Sequence, residues 1–160
     1  MIASEHSATA LERTIERYNE AWNSHDLDAI VSMHAPDMVF ENHTAGESAQ
    51  GADVRGHIAS IFETWPDMQF ETRRLYVRDG MVAQEWTATA THRNTMRRGD
   101  LVAEPTGKRI EWSGVDVIPF ENGLVKRKDV YSDSISILNQ VGLLAETRST
   151  EPVPSRKEQA

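Results

Sequence analysis

Two long alternating runs lie between Thr106 and Asp133, joined at Asn122-Gly123. Asn-Gly between apolar runs is the strongest short-range hairpin signal, because both turn residues tolerate positive φ. On the first run, alternation places Ile110, Trp112, Gly114, Asp116, Ile118 and Phe120 on one face. Asp116 is the only charged residue in that row. A carboxylate in an apolar row is costly to bury unless it is paired, protonated or working. A working acid in an apolar pocket is tuned toward the operating pH. It can then remove a proton alpha to a carbonyl and later protonate an alkoxide. The structural alternative is a buried aspartate held by backbone donors or a neighbouring arginine.

Two further polar residues share strand faces with apolar ones. His92 ends the row Val82, Gln84, Trp86, Ala88, Ala90 and His92. It either hydrogen-bonds a substrate carbonyl or orients Asp116, or it is a satisfied histidine at the sheet rim. Asn42 shares a face with Met38 and Phe40. Its amide polarises a carbonyl or holds water, or it caps a strand end. Tyr18, Trp22, Phe62, Trp65, Trp86 and Trp112 are core candidates first. Trp86 and Trp112 fall on the Asp116 side, which suits flat packing against a polycyclic substrate. Arg93, Arg97 and Arg98 either grip a carboxylate or stand in a solvated loop. His6, His25, His34, His43, His57 and His92 show no metal-ligand spacing, so no metal is expected. No phosphate loop or nucleotide fingerprint is present, and no cofactor is expected.

These residues sit on a chain of 160 residues with 39% hydrophobic and 26% charged residues, an ordinary globular mix for one domain. The net charge of -8 argues against nucleic acid or an anionic membrane as partner, since both need a basic footprint. With no cysteine, disulfides and thiolate chemistry are excluded. The N-terminal stretch lacks the apolar core of a signal peptide, and a cytoplasmic location is expected. The sequon Asn42-His43-Thr44 is therefore read as chance.

The elements that must position the polar residues follow from period and punctuation. Thr9–Glu12 reads as a capping box opening a helix with Leu11, Ile15, Tyr18 and Trp22 on one stripe. A short helix from Asp26 carries His34 and stops at Pro36. A strand spans 38–43 and a loop 44–52. A helix from Asp53, which can cap it, runs to Trp65 and ends at Pro66. Strands at 68–78 and 81–92 meet at Asp79-Gly80, and a long loop spans 93–105. Asp133 caps a last helix with Ile135, Leu138 and Val141 on one side, closed by Gly142. Residues 1–145 form one domain, and 146–160 read as a disordered tail. The class is α+β: three N-terminal helices on a strongly curved, mostly antiparallel sheet, a short C-terminal helix, and a cone-shaped cavity between them.

The pattern from Leu11 to Leu144 resembles the nuclear transport factor 2-like superfamily, in particular its SnoaL-like polyketide cyclase and ketosteroid isomerase-like branch. The pieces that carry it are Tyr18-Asn-Glu-Ala-Trp22 with Asp26-Leu-Asp-Ala-Ile30, Trp65-Pro66-Asp67, Thr91-His92, Pro105-Thr-Gly-Lys108, Val115-Asp116-Val117-Ile118, Gly123-Leu-Val125 and Asp133 with Leu138–Gly142. The resemblance implies Asp116, His92 and Asn42 as catalytic residues. It implies Phe40, Trp86, Trp112, Tyr18, Phe62 and Trp65 around a small hydrophobic substrate, with no cofactor and a homodimeric assembly. The expected activity is aldol-type cyclisation or isomerisation of a polyketide-like or polycyclic carbonyl compound. The rivals are a hydrolase or dehydratase using His92 and Asp116 around water, and a non-catalytic binding module. Two departures stand out: Pro119, and the basic run Lys126-Arg127-Lys128. Proline on a strand implies an edge or a bulge.

Overall fold

The first helix, α1 (Ile2–Asn23), turns Ile15, Tyr18 and Trp22 inward, and Ile15 and Tyr18 are fully enclosed. The computed structural model describes residues 2–78 and 80–144, with side chains from residue 10 onward; Asp79 of the expected turn and the expected tail 146–160 lie outside the described residues. Helix α1 already runs through Thr9, so Thr9–Glu12 is not its start. The alanines and glutamate ahead of Thr9 favour helix, and nothing there breaks it. At the other end, Asn23 acts as a peptide group toward β3 (Gln69–Arg78): its Nδ2 donates to Phe70 O at 2.9 Å and its Oδ1 accepts from Phe70 N at 2.7 Å. Helix and strand edge are thereby joined.

In α2 (Leu27–Ser32), Asp26 Oδ1 caps the helix by accepting from Ala29 N at 2.9 Å. Strand β1 (His34–Asn42) begins two residues after α2 and includes both His34 and Pro36, which the period reading had assigned to the helix and its stop. Pro36 is tolerated because the ladder with β8 (Leu124–Ser132) is interrupted between His34 and Val39. Two expected loops contain short strands. β2 (Glu47–Gln50) pairs with β1, and β5 (Met96–Arg98) with β6 (Leu101–Ala103) makes a separate two-stranded sheet. Helix α3 (Asp53–Thr64) buries Val54 and Ile58; its N-cap is Ala52, without a side-chain bond, and Asp53 sits in the first turn. The motif after α3 has a mechanical role. Asp67 accepts from Thr91 N at 2.8 Å and Thr91 Oγ1 at 2.6 Å, tying the helix exit to β4 (Met81–Thr91).

The main sheet has the order β2-β1-β8-β7-β4-β3, with β7 spanning Arg109–Glu121. All pairs are antiparallel except β1 with β8. The architecture is the expected α+β one, helices on a mostly antiparallel curved sheet. Helix α4 (Ser134–Gln140), capped by Asp133, buries Ile137 and Val141. Ile135, expected inward, is 67% exposed, because the inward stripe is the i, i+4 pair Ile137 and Val141.

Strand β7 follows the expected alternation: Ile110, Trp112, Gly114, Asp116 and Ile118 face inward, and Arg109, Glu111, Ser113 and Val115 outward. Gly114 lies opposite Trp86 of β4, and a Cβ there would come within 2.3 Å of Trp86 Cζ2. The glycine makes the space in which the indole lies. The Asn122-Gly123 hairpin forms as expected, but β8 carries a bulge. Val117 pairs with Asp129, whereas Phe120 pairs with Val125, so three residues of β8 oppose two of β7. Pro119 sits inside this irregularity, where its missing N–H is harmless. The bulge resets the alternation: Val125, Lys128, Val130 and Ser132 are buried, and Tyr131 is exposed.

Candidate active site

The curved sheet and helices enclose a cavity of about 380 Å³, within the range of small-molecule sites. All four tryptophans of the chain, Trp22, Trp65, Trp86 and Trp112, line it. The adjacent strands β4, β7 and β8 bring Gln84, Asp116 and Lys128 to one patch of its wall. Asp116 is 3% exposed and Lys128 6%. The Lys128 ammonium donates to Asp116 Oδ2 in an ion pair. Gln84 Nε2 donates to the same oxygen at 3.0 Å. Gln84 is itself held by Asn19 of α1, whose Nδ2 donates to Gln84 Oε1 at 2.9 Å. Asp116 Oδ1 is buried, and among the described residues no group partners it. Two donors thus fix the carboxylate by one oxygen and leave the other for chemistry.

Aromatic faces surround the cation. Lys128 Nζ lies 5.4 Å from the Trp22 ring centre and 5.9 Å from that of Tyr18, within cation–π range. Behind it, Tyr18 Oη and His34 Nε2 share a hydrogen bond of 2.9 Å. Burial raises the Tyr18 phenol well above its ordinary range. Burial, and secondarily the Lys128 charge, push His34 down to about 4. The wall next to Lys128 therefore holds a neutral imidazole and a neutral phenol at pH 7.

Of the residues singled out by sequence, Asp116, Asn42, Phe40, Trp65, Trp86 and Trp112 line this cavity together. Asn42 is partly occupied, since its Oδ1 accepts from Thr44 Oγ1 at 3.1 Å and Ala45 N at 3.2 Å. Tyr18 lies behind Lys128, and Phe62 packs edge-on to Trp22 and flat on His25, 4.3 Å between ring centres; neither is part of the lining. His92 is placed elsewhere. It follows the end of β4, eight residues beyond Gln84, the strand partner of Asp116. That is about 26 Å along a strand. Its Nδ1 meets Thr106 Oγ1 at 3.1 Å and its ring lies 5.6 Å from Trp65. His92 is not part of the cavity lining that holds Asp116.

Sequence reasoning missed Lys128 and the roles of Gln84 and Asn19. Gln84 was readable as an inward residue of β4. Lys128 was hidden by the bulge, for which Pro119 was the one available sign.

The opposite face of β8 carries a second charged group. Arg127 Nη2 bonds Asp129 Oδ1 at 2.7 Å and also bonds Glu41, and His43 Nε2 meets Asp129 Oδ1 at 2.7 Å. The His43 ring stacks on Tyr131, 4.6 Å between centres. Glu41, His43 and Asp129 bring ligand-type atoms within 4.8 Å of one another, but Arg127 already supplies positive charge there.

The model of the SnoaL-like domain matches residues 15–128. The chain belongs to the SnoaL-like family. Similar solved structures include AclR, a candidate hydroxylase from Streptomyces galilaeus, at 24% identity and a TM-score of 0.75, covering 87% of this chain and 89% of that one. A candidate polyketide cyclase from Acidithiobacillus ferrooxidans matches at 20% identity and 0.72, covering 85% and 96%. IdmH, a candidate polyketide cyclase from Streptomyces antibioticus, matches at 24% and 0.69, covering 82% and 98%. Among curated proteins, none matches. At these identities the structures establish a shared SnoaL-like fold, in a superfamily that carries several chemistries. Among the described residues, no helix is long and apolar enough to cross a membrane.

Proposed function

We propose that the chain is an enzyme performing acid/base chemistry on a polyketide-like or polycyclic carbonyl compound, an aldol-type cyclisation or an isomerisation, with Asp116 as acid/base. The observation that carries this reading is the free Asp116 Oδ1 on the wall of a tryptophan-lined cavity. A carboxylate held by Lys128 and Gln84 through one oxygen is oriented for proton transfer through the other. In the first step Oδ1 takes the proton alpha to a substrate carbonyl, leaving an enolate. The Lys128 ammonium stabilises the negative oxygen. In a cyclisation the enolate carbon attacks a second carbonyl of the same molecule. The resulting alkoxide recovers the proton from Asp116, so substrate and product are isomers and no cofactor is consumed. The flat indoles Trp86 and Trp112 exclude water and hold the rings.

The domain limits 1–145 and a homodimeric form belong to the same proposal. The outer sheet face exposes Val115 and Tyr131, 40% and 47%, as a second copy would require; sedimentation tests the assembly.

The reaction is tested by mass spectrometry in heavy water, with β-dicarbonyl, polycyclic ketone and steroid-like compounds. Deuterium uptake at carbon that depends on the enzyme and is lost in Asp116→Asn is the expected result. Uptake unchanged in that variant removes Asp116 from the base role.

A further inference from the structure

The cavity has a second polar pole that the chemistry above does not use. It lies where the β5–β6 hairpin, which is not part of the main sheet, meets α3 and β2. Arg98 of β5 lines the cavity, and its Nη1 is buried with no partner among the described residues. His57 of α3 lines the same space, with Nε2 also buried and unpartnered. The third member is Glu47 of β2, whose Oε2 lies 3.9 Å from His57 Nε2, too far for a hydrogen bond. Among the described residues, Arg98 forms no ion pair. Burial lowers its pKa from the ordinary guanidinium value, and Glu47 offsets this only in part.

A guanidinium keeps its charge under protein conditions and presents donors in a fork matched to a carboxylate. Arg98 is half-buried, and leaving its enclosed Nη1 unpaired is unfavourable, a cost that an anion from outside the chain would relieve. The two poles are one aromatic ring apart. Phe40 is the β1 partner of Lys128, and its ring lies 4.8 Å from that of His57. A ligand reaching from Asp116 to Arg98 passes over Phe40.

We propose that Arg98, with His57 beside it, binds a free carboxylate of the substrate, so that the enzyme takes a ketone acid rather than a neutral ketone or an ester. The acid group lies at the hairpin, and the reacting carbonyl lies at Asp116, on the other side of Phe40. This deepens the function proposed above and rests on its reading of the cavity as the substrate site. The inner pair of Asp116 and Lys128 is neutral in sum, and at the other pole Arg97 and Arg98 stand with Glu47 and Glu63 in the lining, so the guanidinium fork of Arg98 rather than a net charge selects the acid. Arg98 is a specificity residue here, and it takes no part in proton transfer.

The probes are anthraquinone-2-carboxylate and its methyl ester, which differ only in the acid group. All four tryptophans line the cavity, so quenching of intrinsic fluorescence reports its occupancy. The wild type is expected to bind the acid roughly tenfold to a hundredfold more tightly than the ester, the range of a charge-assisted hydrogen-bonded pair. Arg98→Met is expected to lose that preference while keeping its affinity for the ester. Arg98→Lys, which keeps the charge but loses the fork, should fall between. Equal affinity for acid and ester in the wild type overturns the proposal. So does a preference that survives Arg98→Met, or an acid that fails to bind at about 1 mM. Unchanged ester affinity in Arg98→Met shows that the variant is folded. The Asp116-dependent deuterium uptake is a separate readout, so either result can fail while the other stands.

Discussion

Lys128 and Asp129 are neighbours in sequence and belong to different environments. Lys128 faces the cavity, pairs with one carboxylate and has almost no access to water. Asp129 faces outward and shares Arg127 and His43 with Glu41 on a half-exposed surface. The inner pair has taken two charges out of water, and their mutual attraction does little more than offset that loss. The outer group keeps much of its hydration and is screened by salt. The comparison teaches that the inner pair is a poor device for stability and a good one for holding a carboxylate in one orientation. The outer group serves as a surface clamp between β1 and β8.

The largest effect that would sharpen this contrast comes from removing one inner partner. Lys128→Met leaves Asp116 buried without its cation and should lower the unfolding free energy by about 3–5 kcal/mol in urea titrations. Adding Asp116→Asn to that variant should recover a good part of the loss, because the stranded charge is gone. No recovery would mean that the pair is stabilising in its own right, and the contrast would break.

The next effect is a dependence on pH. His34, next to Lys128, is neutral in the fold down to about pH 4, against 6.5 for the free group. Between these values the unfolded chain binds more protons than the folded one. Stability is therefore full above about pH 6.5 and falls as pH drops toward 4, by up to about 3 kcal/mol. His34→Gln should flatten this limb. The outer group behaves differently. The hydrogen bonds from Arg127 hold Asp129 below the usual carboxylate range. Its contribution persists above about pH 4 and is lost only as pH falls below that. Denaturant midpoints across pH, in wild type and in His34→Gln, separate the two windows.

A smaller change acts on the wall between the poles. Gly114→Ala places a methyl group where the Trp86 ring now lies and should cost about 1–3 kcal/mol, with a changed near-ultraviolet dichroism spectrum. The smallest is Arg127→Met on the outer face, expected at about 1 kcal/mol or less and diminishing with salt. A loss as large as that of Lys128→Met would erase the distinction between the two sides of β8.

Much of the fold was legible because period and punctuation agreed. The inward row of β7, including Asp116, follows from strict alternation, and the Asn122-Gly123 turn, the Asp133 cap and the helical stripe from Ile15 to Trp22 follow from local chemistry. Lys128 was not legible, because alternation has no memory across a bulge: one extra residue turned it inward and Asp129 outward. Strands β2, β5 and β6 are three or four residues long, too short to display a period, and so read as loops. The two donors to Asp116 come from β4 and β8, and Asn19 of α1 holds Gln84 in place; only tertiary pairing brings the three elements together.

The separation of the β5–β6 hairpin from the main sheet has a consequence for how such a fold diversifies. Its ladder hydrogen bonds run between its own two strands, with Arg98 opposite Leu101 across a turn containing Gly99 at φ +56. Met96 and Ala103 anchor it in the core, whereas Leu101 and Val102 are exposed and can change without touching the six-stranded ladder. A lineage can therefore vary one rim of the cavity through this appendage while the cluster of Asp116, Lys128 and Gln84 on the main sheet is kept.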